Sequence, residues 1–524
     1  MKELLHALLL GSAERFPDRP ALHFRDDTLS YRQFADAVSR YADAAVARGL
    51  QAGDRIAFFL PKQFETAIAI FGTAAAGGVF VPVNPLLKPQ QVAYILRDCN
   101  VRSLITAKGR YEQLKDVLRD CPDLQETVLV DGAVNGDGDG TVSWPNFLAS
   151  ANGSQGHRRI DGDVVSILYT SGSTGNPKGV VLSHRNMVAG AHSVAEYLEN
   201  NAEDRLLAVL PLSFDYGLSQ LTTAFSVGAS VALMDYLLPN DVIKACAKYR
   251  ITGLAAVPPL WVQLAQLEWP QAAKDSLRYF TNSGGHMPLT TLQGLRAQLP
   301  TSQPFLMYGL TEAFRSTFLP PSEVDTRPGS MGKAIPNAEI VVLREDGSEC
   351  GPDEPGELVH RGALVALGYW NSPDKTSERF KLLPKRVNAL MLAEIAVFSG
   401  DTVKKDADGF LYFIGRKDDM IKCSGNRISP SELEDIVYQQ KGVAEVAALG
   451  IAHQTLGQAV VLVLKTTAEY HEAELIATLK KELPNFMQPQ KLIVRDTLPR
   501  NPNGKIDRKL LSAEYAELFG AAKT

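Results

Sequence analysis

The feature that most constrains the fold is a strand–helix–strand pattern near the N-terminus. Residues 55–60 (RIAFFL) predict a buried strand, residues 67–76 follow a helical pattern, and residues 79–83 (VFVPV) predict the next strand. Strands joined through a helix lie parallel in one sheet. The same rhythm recurs around residues 208–210 and 231–233. The sequence therefore predicts an α/β protein whose large N-terminal domain is built of parallel-sheet layers.

The pattern changes in the last third of the chain. From about residue 340 shorter strands are separated by Asp-Gly turns, at 346–347 and 408–409, which predicts a small β-rich subdomain. A polar junction at residues 417–419 (KDD) then precedes a segment with its own helices and strands. We therefore predict two domains, residues 1–416 and residues 417–524, of which the second is a smaller α+β domain.

Composition excludes several classes of protein. The chain has 54 Lys and Arg against 59 Asp and Glu, a net charge of −5, without the basic excess of a nucleic-acid binder. Its five cysteines lie far apart with no metal-ligand spacing, which indicates thiols in a reducing compartment. The apolar stretch 67–83 is short and interrupted by Gly and Pro. We therefore expect a cytoplasmic protein with neither nucleic acid nor membrane among its partners.

A glycine-rich loop follows a predicted strand in the segment 166–179 (SILYTSGSTGNPKG). Glycines let the backbone turn tightly and aim N–H groups at an anion, while Ser and Thr hydroxyls add donors. Lys178 supplies a compact positive charge suited to phosphate. A Walker A loop is excluded because Gly-Lys-Ser/Thr is missing. The alternative is a flexible surface turn, and the apolar strand directly before the loop favours phosphate binding.

This loop resembles the phosphate loop of the adenylate-forming enzymes, a superfamily of acyl-CoA synthetases, adenylation domains and luciferases. Further segments are similar to the family's signatures and occur in the same order: 283–285 (SGG), 308–312 (YGLTE), 399–401 (SGD), 415–419 (GRKDD) and 499–507 (PRNPNGKID). The resemblance covers essentially the whole chain. The long stretch before 399–401 is similar to free-standing ligases, including exosortase-A-associated acyl-CoA ligases.

The resemblance implies a site for ATP and Mg²⁺. In the family, the counterpart of Tyr308 stacks on adenine, that of Thr311 contacts the α-phosphate, and that of Glu312 coordinates Mg²⁺, while Asp401 and Arg416 match the ribose-binding positions. A carboxylate is a suitable ligand for a hard cation that bridges phosphates. The residues expected to bind ATP are Thr170, Ser171, Gly172, Ser173, Thr174, Gly175, Lys178, Gly284, Gly285, Tyr308, Asp401 and Arg416.

The resemblance also implies two half-reactions and a mobile small domain. A carboxylate attacks the α-phosphate of MgATP to give an acyl-adenylate and pyrophosphate, and a thiol then displaces AMP. Lys505 is the expected catalytic cation of the first step, together with Thr311 and Glu312. Rotation about a hinge at Asp418 would then withdraw Lys505 and bring Lys422 and Gly425 to the site, where Gly425 would let a pantetheine arm pass.

The segment 210–217 (LPLSFDYG) occupies the position of the family's acyl pocket. Many acyl-CoA synthetases carry an aromatic residue followed by His there, whereas this chain has Ser213 and Phe214. The pair Phe214-Asp215 resembles amino-acid-activating adenylation domains, in which the Asp holds the substrate ammonium. A carboxylate facing a pocket is costly to desolvate unless a cation arrives. We therefore expect an amino acid, α or β; the alternative is an Asp215 that caps the next helix or points to solvent.

Arg315 follows Glu312 by three residues, on a segment that lines the acyl pocket in the family. Either it recognises a second carboxylate or polar group through a bidentate contact, or it pairs with Asp215 and leaves the pocket neutral. The residues expected to bind the acid are Phe214, Asp215, Tyr216, Ser219, Asn282, Met307 and Arg315.

The sequence thus predicts an AMP-forming carboxylate–thiol ligase. The residues after Lys505 show no phosphopantetheine attachment motif, so the thiol is expected from a separate carrier protein or from CoA. The alternatives are a fatty- or aryl-acyl-CoA synthetase with a non-amino substrate, and a non-catalytic nucleotide-binding homologue. The joint presence of Lys178, Glu312, Asp401 and Lys505 disfavours the last.

Overall fold

The computed structural model describes residues 4–132, 140–170, 177–384, 394–416, 420–423, 426–453, 455–502 and 504–520. The helices are α1 Leu5–Arg15, α2 Tyr31–Ala47, α3 Phe64–Ala76, α4 Pro89–Asp98, α5 Lys108–Leu118, α6 Trp144–Ala149, α7 His184–Tyr197, α8 Asp215–Val227, α9 Pro239–Tyr249, α10 Pro258–Leu264, α11 Gln271–Ser276, α12 Leu289–Gln298, α13 Pro373–Arg379, α14 Pro430–Tyr438, α15 Glu472–Glu482 and α16 Arg508–Glu514. Short 3₁₀ turns lie at Thr311–Ala313, Pro321–Glu323 and Asn485–Met487.

The strands of the first 300 residues are β1 Pro20–Phe24, β2 Asp27–Ser30, β3 Arg55–Phe59, β4 Val79–Pro82, β5 Val101–Thr106, β6 Glu126–Leu129, β7 Thr141–Ser143, β8 Val164–Thr170, β9 Lys178–Ser183, β10 Arg205–Ala208, β11 Ser230–Leu233, β12 Gly253–Ala256 and β13 Tyr279–Asn282. The remaining strands are β14 Gln303–Tyr308, β15 Thr317–Leu319, β16 Lys333–Ala334, β17 Ala338–Leu343, β18 Gly356–Gly362, β19 Phe380–Leu382, β20 Ile395–Lys405, β21 Leu411–Arg416, β22 Ile421–Cys423, β23 Asn426–Ile428, β24 Val443–His453, β25 Gly457–Thr466 and β26 Lys491–Val494.

Two large sheets form the first 334 residues. The first has the order β16-β15-β14-β13-β12-β10-β11-β1-β2 and the second the order β7-β6-β5-β3-β4-β8-β9. Strands β1 and β10–β14 run parallel, and β3–β8 run parallel in the second sheet, so antiparallel pairing is confined to the ends. The predicted strand–helix–strand unit is β3, α3 and β4, with Arg55 opposite Val79. The predicted α/β class with parallel layers is confirmed.

Helices α3 and α8 lie in the centre of the large domain. Nearly every residue of each is buried, which is the pattern of a helix enclosed by other elements rather than one with a solvent face. Helix α3 packs against α1 and α2, and α8 packs against α1 and α7. One apolar cluster joins these helices to both sheets. The N-terminus of α8, at Asp215, is therefore held rigidly inside the domain.

The last third of the chain forms two smaller sheets. Strands β17–β21 form an antiparallel third sheet, and the predicted Asp-Gly turns contain Gly347 and Gly409 at φ values of +81° and +86°. Strands β22–β26 form a fourth sheet that packs with α14–α16 around its own apolar core. The predicted boundary between residues 416 and 417 stays a prediction, because residues 417–419 lie outside the described part.

Within the described ranges, no helix is both long and apolar enough to cross a bilayer. All five cysteines are buried. The cytoplasmic location stays a prediction from the sequence.

Candidate active site

The candidate site lies where neighbouring parallel strands of the first sheet end. Strand β13 ends at Asn282 and β14 ends at Tyr308, and the two strands pair in register. The segments 283–286 and 309–315 leave the sheet from these ends, and α8 begins nearby at Asp215. The carboxyl ends of parallel strands are where α/β sheets bind ligands, because the connecting loops diverge there.

A buried carboxylate with a phenol partner, Asp401 with Tyr308, lies at one end of the site. We call this the nucleotide end, because the resemblance implies that these residues bind ATP, and we call the end at Asp215 and Arg315 the acyl end. The Tyr308 hydroxyl donates to Asp401 Oδ2 at 2.5 Å, and Arg416 Nε lies 3.3 Å from Asp401 Oδ1. Burial raises the pKa of Asp401, while the Arg416 guanidinium and the Tyr308 hydroxyl act in the opposite direction. The Tyr308 ring packs against the apolar cluster of the third sheet. The structure thus brings together three residues that the resemblance assigns to the nucleoside.

Glu312 has a partner that sequence reasoning missed. The Tyr369 hydroxyl donates to Glu312 Oε1 at 2.5 Å, and Lys178 Nζ lies 5.3 Å from the centroid of the Tyr369 ring. Tyr369 is 57 residues from Glu312 and reaches it through a bridge with Val180 of β9. Burial and the nearby cations Lys375 and Arg379 lower the pKa of Lys178. No local pattern in the sequence marks this contact, because a pairing between distant segments creates it.

The donor set around Glu312 fits Mg²⁺ bound partly by substrate. No cluster of three His, Cys, Asp or Glu side chains is found in the part of the chain that the structure describes. A Mg²⁺ ion is typically held by one or two carboxylates plus substrate phosphates, and the remaining ligands are water. Glu312, whose charge acts on Lys178, would supply the one protein carboxylate of such a partial site.

Lys505 reaches from the small domain into this site. Its side chain is half-buried, with Nζ 5.8 Å from the centroid of the Phe214 ring. A Cβ atom at Gly284 would lie only 3.0 Å from Lys505 Cε, so the absence of a side chain there leaves space for the lysine. Burial and the Arg416 charge lower the pKa of Lys505 to about 8, against the opposing carboxylates of Asp215 and Asp401. The small domain thus places Lys505 beside Gly284 and Phe214, and its role in the first half-reaction stays a prediction.

Asp215 is a buried carboxylate at the acyl end of the site. It is 4% exposed, and the Thr311 hydroxyl donates to its Oδ1 at 3.0 Å. Burial raises the pKa of Asp215, while the charges of Arg315 and Lys505 act in the opposite direction. The N-cap of α8 is Phe214, and Asp215 is the first helical residue. The interpretation of Asp215 as a solvent-facing residue is therefore wrong.

Arg315 is the most enclosed charged residue of the site. It is 1% exposed, and its guanidinium lies 4.6 Å from the centroid of the Tyr216 ring. Nη1 is 3.4 Å from the Ser283 hydroxyl and Nη2 is 3.2 Å from the Ser219 hydroxyl. Its direction follows from Phe314, a buried residue whose φ of +55° turns the chain sharply after Glu312.

The two alternatives for Arg315 can now be compared. Both Arg315 and Asp215 lie in described parts of the chain, and no ion pair within 4.0 Å joins them. Among the described residues Arg315 Nε has no hydrogen-bond partner. Arg315 and Asp215 are therefore not in direct contact, although the Arg315 charge acts on the Asp215 carboxylate.

Three further residues expected at the acyl end, Asn282, Tyr216 and Met307, each make at least one hydrogen bond. Asn282 Nδ2 donates to the Gly285 carbonyl at 3.0 Å, while its Oδ1 has no partner among the described residues. The Tyr216 hydroxyl is hydrogen-bonded to Thr281. The sulfur of Met307 accepts a hydrogen bond from Tyr197 of α7, which places that side chain against the core.

Part of the predicted site lies elsewhere or is not described. Thr170 pairs with Lys178 in the β8–β9 register, so the two ends of the phosphate loop are adjacent. Lys422 is exposed on β22, and the contacts described for it do not include Lys505 or Glu312. The predicted residues outside the described ranges are Ser171, Gly172, Ser173, Thr174, Gly175, Asp418 and Gly425.

Comparison with known proteins identifies the family of the chain. The sequence model of the AMP-binding enzyme family matches residues 10–370, and that of the AMP-binding enzyme C-terminal domain matches residues 432–505. The long-chain-fatty-acid–CoA ligase of Salmonella typhimurium is 30% identical over 540 residues, covering 96% of this chain and 93% of that protein. The indoleacetate–CoA ligase of Aromatoleum aromaticum is 29% identical over 501 residues, covering 94% of this chain and 94% of that protein.

A solved structure extends the likeness to the whole fold. The crystal structure of ATP-bound MatB from Rhodopseudomonas palustris matches with a TM-score of 0.87 at 26% identity, covering 99% of this chain and 100% of that one. The predicted resemblance is confirmed by the family match, which spans more than half of the chain. The chain belongs to the AMP-binding enzyme family and is an AMP-forming acid–thiol ligase.

Proposed function

We propose that this ligase activates an amino acid and passes it to the phosphopantetheine thiol of a separate carrier protein or of CoA. The observation that carries the proposal is the buried carboxylate of Asp215 beside Lys505 at the end of the acyl segment. A buried carboxylate whose pKa is raised by burial gains most from an arriving cation. The ammonium group of an amino acid is such a cation.

The Thr311 hydroxyl links nucleotide binding to this carboxylate. A hydroxyl has one hydrogen to donate, and Thr311 gives it to Asp215. When the same hydroxyl turns to the α-phosphate of ATP, Asp215 loses its donor and an ammonium group takes that place. Binding of ATP and of an amino acid would therefore support each other at Thr311.

The first half-reaction joins two anions, so positioning and charge neutralisation dominate it. A carboxylate oxygen of the acid attacks the α-phosphorus, the bond from that phosphorus to the bridging oxygen breaks, and pyrophosphate leaves. Lys505 Nζ would neutralise the approaching carboxylate and the departing phosphate. Asp401 and Arg416 would hold the ribose, with Tyr308 and the 284–285 strip along the adenine. Mg²⁺ at Glu312 would neutralise phosphate charge.

The second half-reaction needs a different surface at the anhydride. The thiol sulfur attacks the carbonyl carbon, its proton passes to solvent, the bond from that carbon to the phosphate oxygen breaks, and AMP leaves. We infer that residues 417–524 rotate about Asp418 for this step. Lys422, exposed in the arrangement described above, and Gly425 would then face the site.

A fatty- or aryl-acid substrate is the second candidate. The hydrogen bond from Thr311 to Asp215 favours it, because a carboxylate that orders the Thr311–Glu312 turn would have a structural use without any ammonium. The relative from Salmonella typhimurium is named as a long-chain-fatty-acid–CoA ligase. The two candidates differ in whether activity depends on the charge at position 215.

The test is ATP–pyrophosphate exchange against amino acids, fatty acids and aryl acids, with Asp215→Asn beside the wild type. Exchange with an amino acid that falls about 100-fold in Asp215→Asn supports the proposal, since the variant keeps the shape and loses the charge. Exchange with an acid lacking an amino group, unchanged in the variant, supports the second candidate. Asp204→Asn is the matched control, because Asp204 is equally buried and pairs with Arg278 instead.

A further inference from the structure

The acyl end of the site holds buried polar atoms that the described part of the chain leaves without partners. Arg315 Nε and Asn282 Oδ1 are both inaccessible to water and lack any hydrogen-bond partner there. Buried donors and acceptors are almost always paired in native proteins, because leaving one unpaired is costly. An unpaired guanidinium nitrogen beside the acyl segment therefore points to a missing ligand group. Because the nitrogen is closed to water, the side chains around it must shift for that group to reach it.

The contacts that Arg315 does make orient it without neutralising it. The Tyr216 ring supports one face of the guanidinium at 4.6 Å, and the two hydroxyls of Ser219 and Ser283 lie 3.2 and 3.4 Å from its terminal nitrogens. The Ser219 hydroxyl donates its own hydrogen to the Tyr216 carbonyl, so it can only accept from Arg315. These groups are neutral, and among the described residues the Asp215 carboxylate interacts with the Arg315 charge only from beyond ion-pair distance.

The charges of the three central residues define the ligand that would complete them. Asp215 is a buried carboxylate, while the buried Arg315 and the half-buried Lys505 are two cations. A monocarboxylic amino acid places its carboxylate near Lys505 and its ammonium on Asp215, which leaves Arg315 without an anion in direct contact. A fatty acid leaves both Asp215 and Arg315 without a ligand group. An acid with one ammonium and two carboxylates satisfies all three.

We propose that Arg315 binds a second carboxylate of the substrate, and that the acid activated by this ligase is an amino dicarboxylic acid. This inference rests on the proposed function, since it assumes that Asp215 receives the ammonium group. Guanidinium and carboxylate match in a two-point contact, and Nε with one terminal nitrogen supplies the edge that such a contact needs. Ser283 adjoins Gly284, which contacts Lys505, so the second carboxylate would lie beside the reacting one.

The experiment compares each diacid with its amide. ATP–pyrophosphate exchange is measured with aspartate and glutamate, in both enantiomers, with asparagine, glutamine and alanine, and with succinate and glutarate. The wild type is expected to prefer an amino dicarboxylate over its amide by about 100-fold in kcat/KM, the scale of an unpaired buried charge. In Arg315→Gln this ratio is expected to fall to about one, because glutamine donates equally well to an amide oxygen. Arg315→Lys is expected to give an intermediate ratio, since it keeps the charge and loses the planar edge.

Arg278→Gln is the matched control for loss of an arginine stacked on a tyrosine. The Arg278 guanidinium also lies over a ring, 4.8 Å from the centroid of Tyr279, but it pairs with Asp204 at the opposite end of β13. This variant is expected to lose stability and keep the diacid-to-amide ratio. Thermal denaturation of each variant distinguishes unfolding from a change in selectivity. The comparison of each diacid with its amide in the wild type does not depend on any variant.

The outcomes separate this inference from the proposed function. Exchange with monocarboxylic amino acids that needs Asp215 but ignores Arg315→Gln overturns the inference and leaves the proposed function standing. Exchange with succinate or glutarate equal to that with aspartate or glutamate overturns the ammonium contact at Asp215. Failure of every amino dicarboxylate, with exchange on other acids, overturns the inference. A diacid preference lost in Arg315→Gln and kept in Arg278→Gln establishes it.

Discussion

The two ends of the site differ in how their buried polar groups are satisfied before a ligand arrives. At the nucleotide end each key carboxylate already holds a phenol, Tyr308 on Asp401 and Tyr369 on Glu312. At the acyl end the guanidinium of Arg315 has only neutral hydroxyls at its terminal nitrogens and no partner at Nε among the described residues. At Asp401 a ribose hydroxyl can take the place of the phenol with little change in hydrogen bonding. At Glu312 the phenol contacts one carboxylate oxygen, Oε1, and can stay there while the other oxygen binds a metal ion.

This difference indicates where selectivity lies. At the nucleotide end both carboxylates have hydrogen-bond partners before ATP binds. Neither carboxylate is therefore an unpaired charge that the ligand has to match. Under the proposal above, the acyl end lacks one anion, and a substrate that fails to supply it leaves the buried charge of Arg315 unpaired. A site with an unpaired buried charge rejects analogues strongly, because a substrate that cannot pair with the charge binds with an unfavourable free energy. Lys505 lies between the two ends, and the carboxylates of Asp215 and Asp401, one from each end, both act on its charge.

The largest expected effect comes from removing Lys505. Lys505→Met should lower ATP–pyrophosphate exchange about 100-fold to 1000-fold, the usual loss when one positioned charge donor is removed from a reacting centre. The loss should be equal for every accepted acid, because the lysine neutralises the reacting carboxylate common to all. Lys480→Met, an exposed substitution on α15, is the control. A loss of exchange that differs between acids would show that Lys505 also contributes to selectivity for the acid, and would contradict the assignment of selectivity to the acyl end.

The pH dependence of the same reaction tests the charge on Lys505. Burial lowers its pKa to about 8, so the charged form is lost as pH rises through 8. We expect an alkaline limb near pH 8 in kcat/KM for exchange, which reports the free enzyme, and a limb at higher pH in kcat, because bound phosphates favour the charged lysine. Raising the pH through the same range should also favour the arrangement in which Lys505 lies in the site. The reason is that a lysine withdrawn into solvent binds more protons than the buried one. Persistence of the limb in Lys505→Met would assign it to another group.

The features predicted from sequence and those that were missed differ in physical origin. The layers around β3, α3 and β4 could be predicted from local hydrophobic periodicity. The family could be predicted from short motifs that occur in the sequence in the family's order. The Tyr369–Glu312 contact and the unpaired state of Arg315 Nε among the described residues depend on how distant segments meet, and on the left-handed turn at Phe314. No hydrophobic periodicity or short motif in the sequence encodes such contacts between distant segments. The roles assigned to the phosphate loop, the hinge and Gly425 stay predictions.

A smaller effect is expected from removing the Tyr369 hydroxyl. Tyr369→Phe should raise the Mg²⁺ concentration needed for half-maximal exchange about 10-fold, because groups that orient a metal ligand change affinity by this order. Calorimetric titration of ATP binding at several Mg²⁺ concentrations gives a second readout. The diacid-to-amide ratio should not change, which would show that the nucleotide end does not contribute to selectivity for the acid. Tyr412→Phe, which loses a phenol–carboxylate contact with Asp406, is the control; an equal Mg²⁺ shift there would contradict the assignment.

The smallest effect is expected at a contact that holds the two domains together. His286 Nε2 of the large domain lies 3.2 Å from Asp435 Oδ1 on α14 of the small domain, and both side chains are about two-fifths exposed. A pair so exposed contributes at most about 1 kcal/mol, or about five-fold in an equilibrium. His286→Ala should therefore lower pyrophosphate exchange about two-fold and favour thioester formation from a supplied acyl-adenylate, since the inserted position of Lys505 loses one contact. Selectivity for the acid and the Mg²⁺ requirement should both stay unchanged. If the variant instead changed the diacid-to-amide ratio, domain position would contribute to selectivity, and the acyl end would not act independently of the small domain.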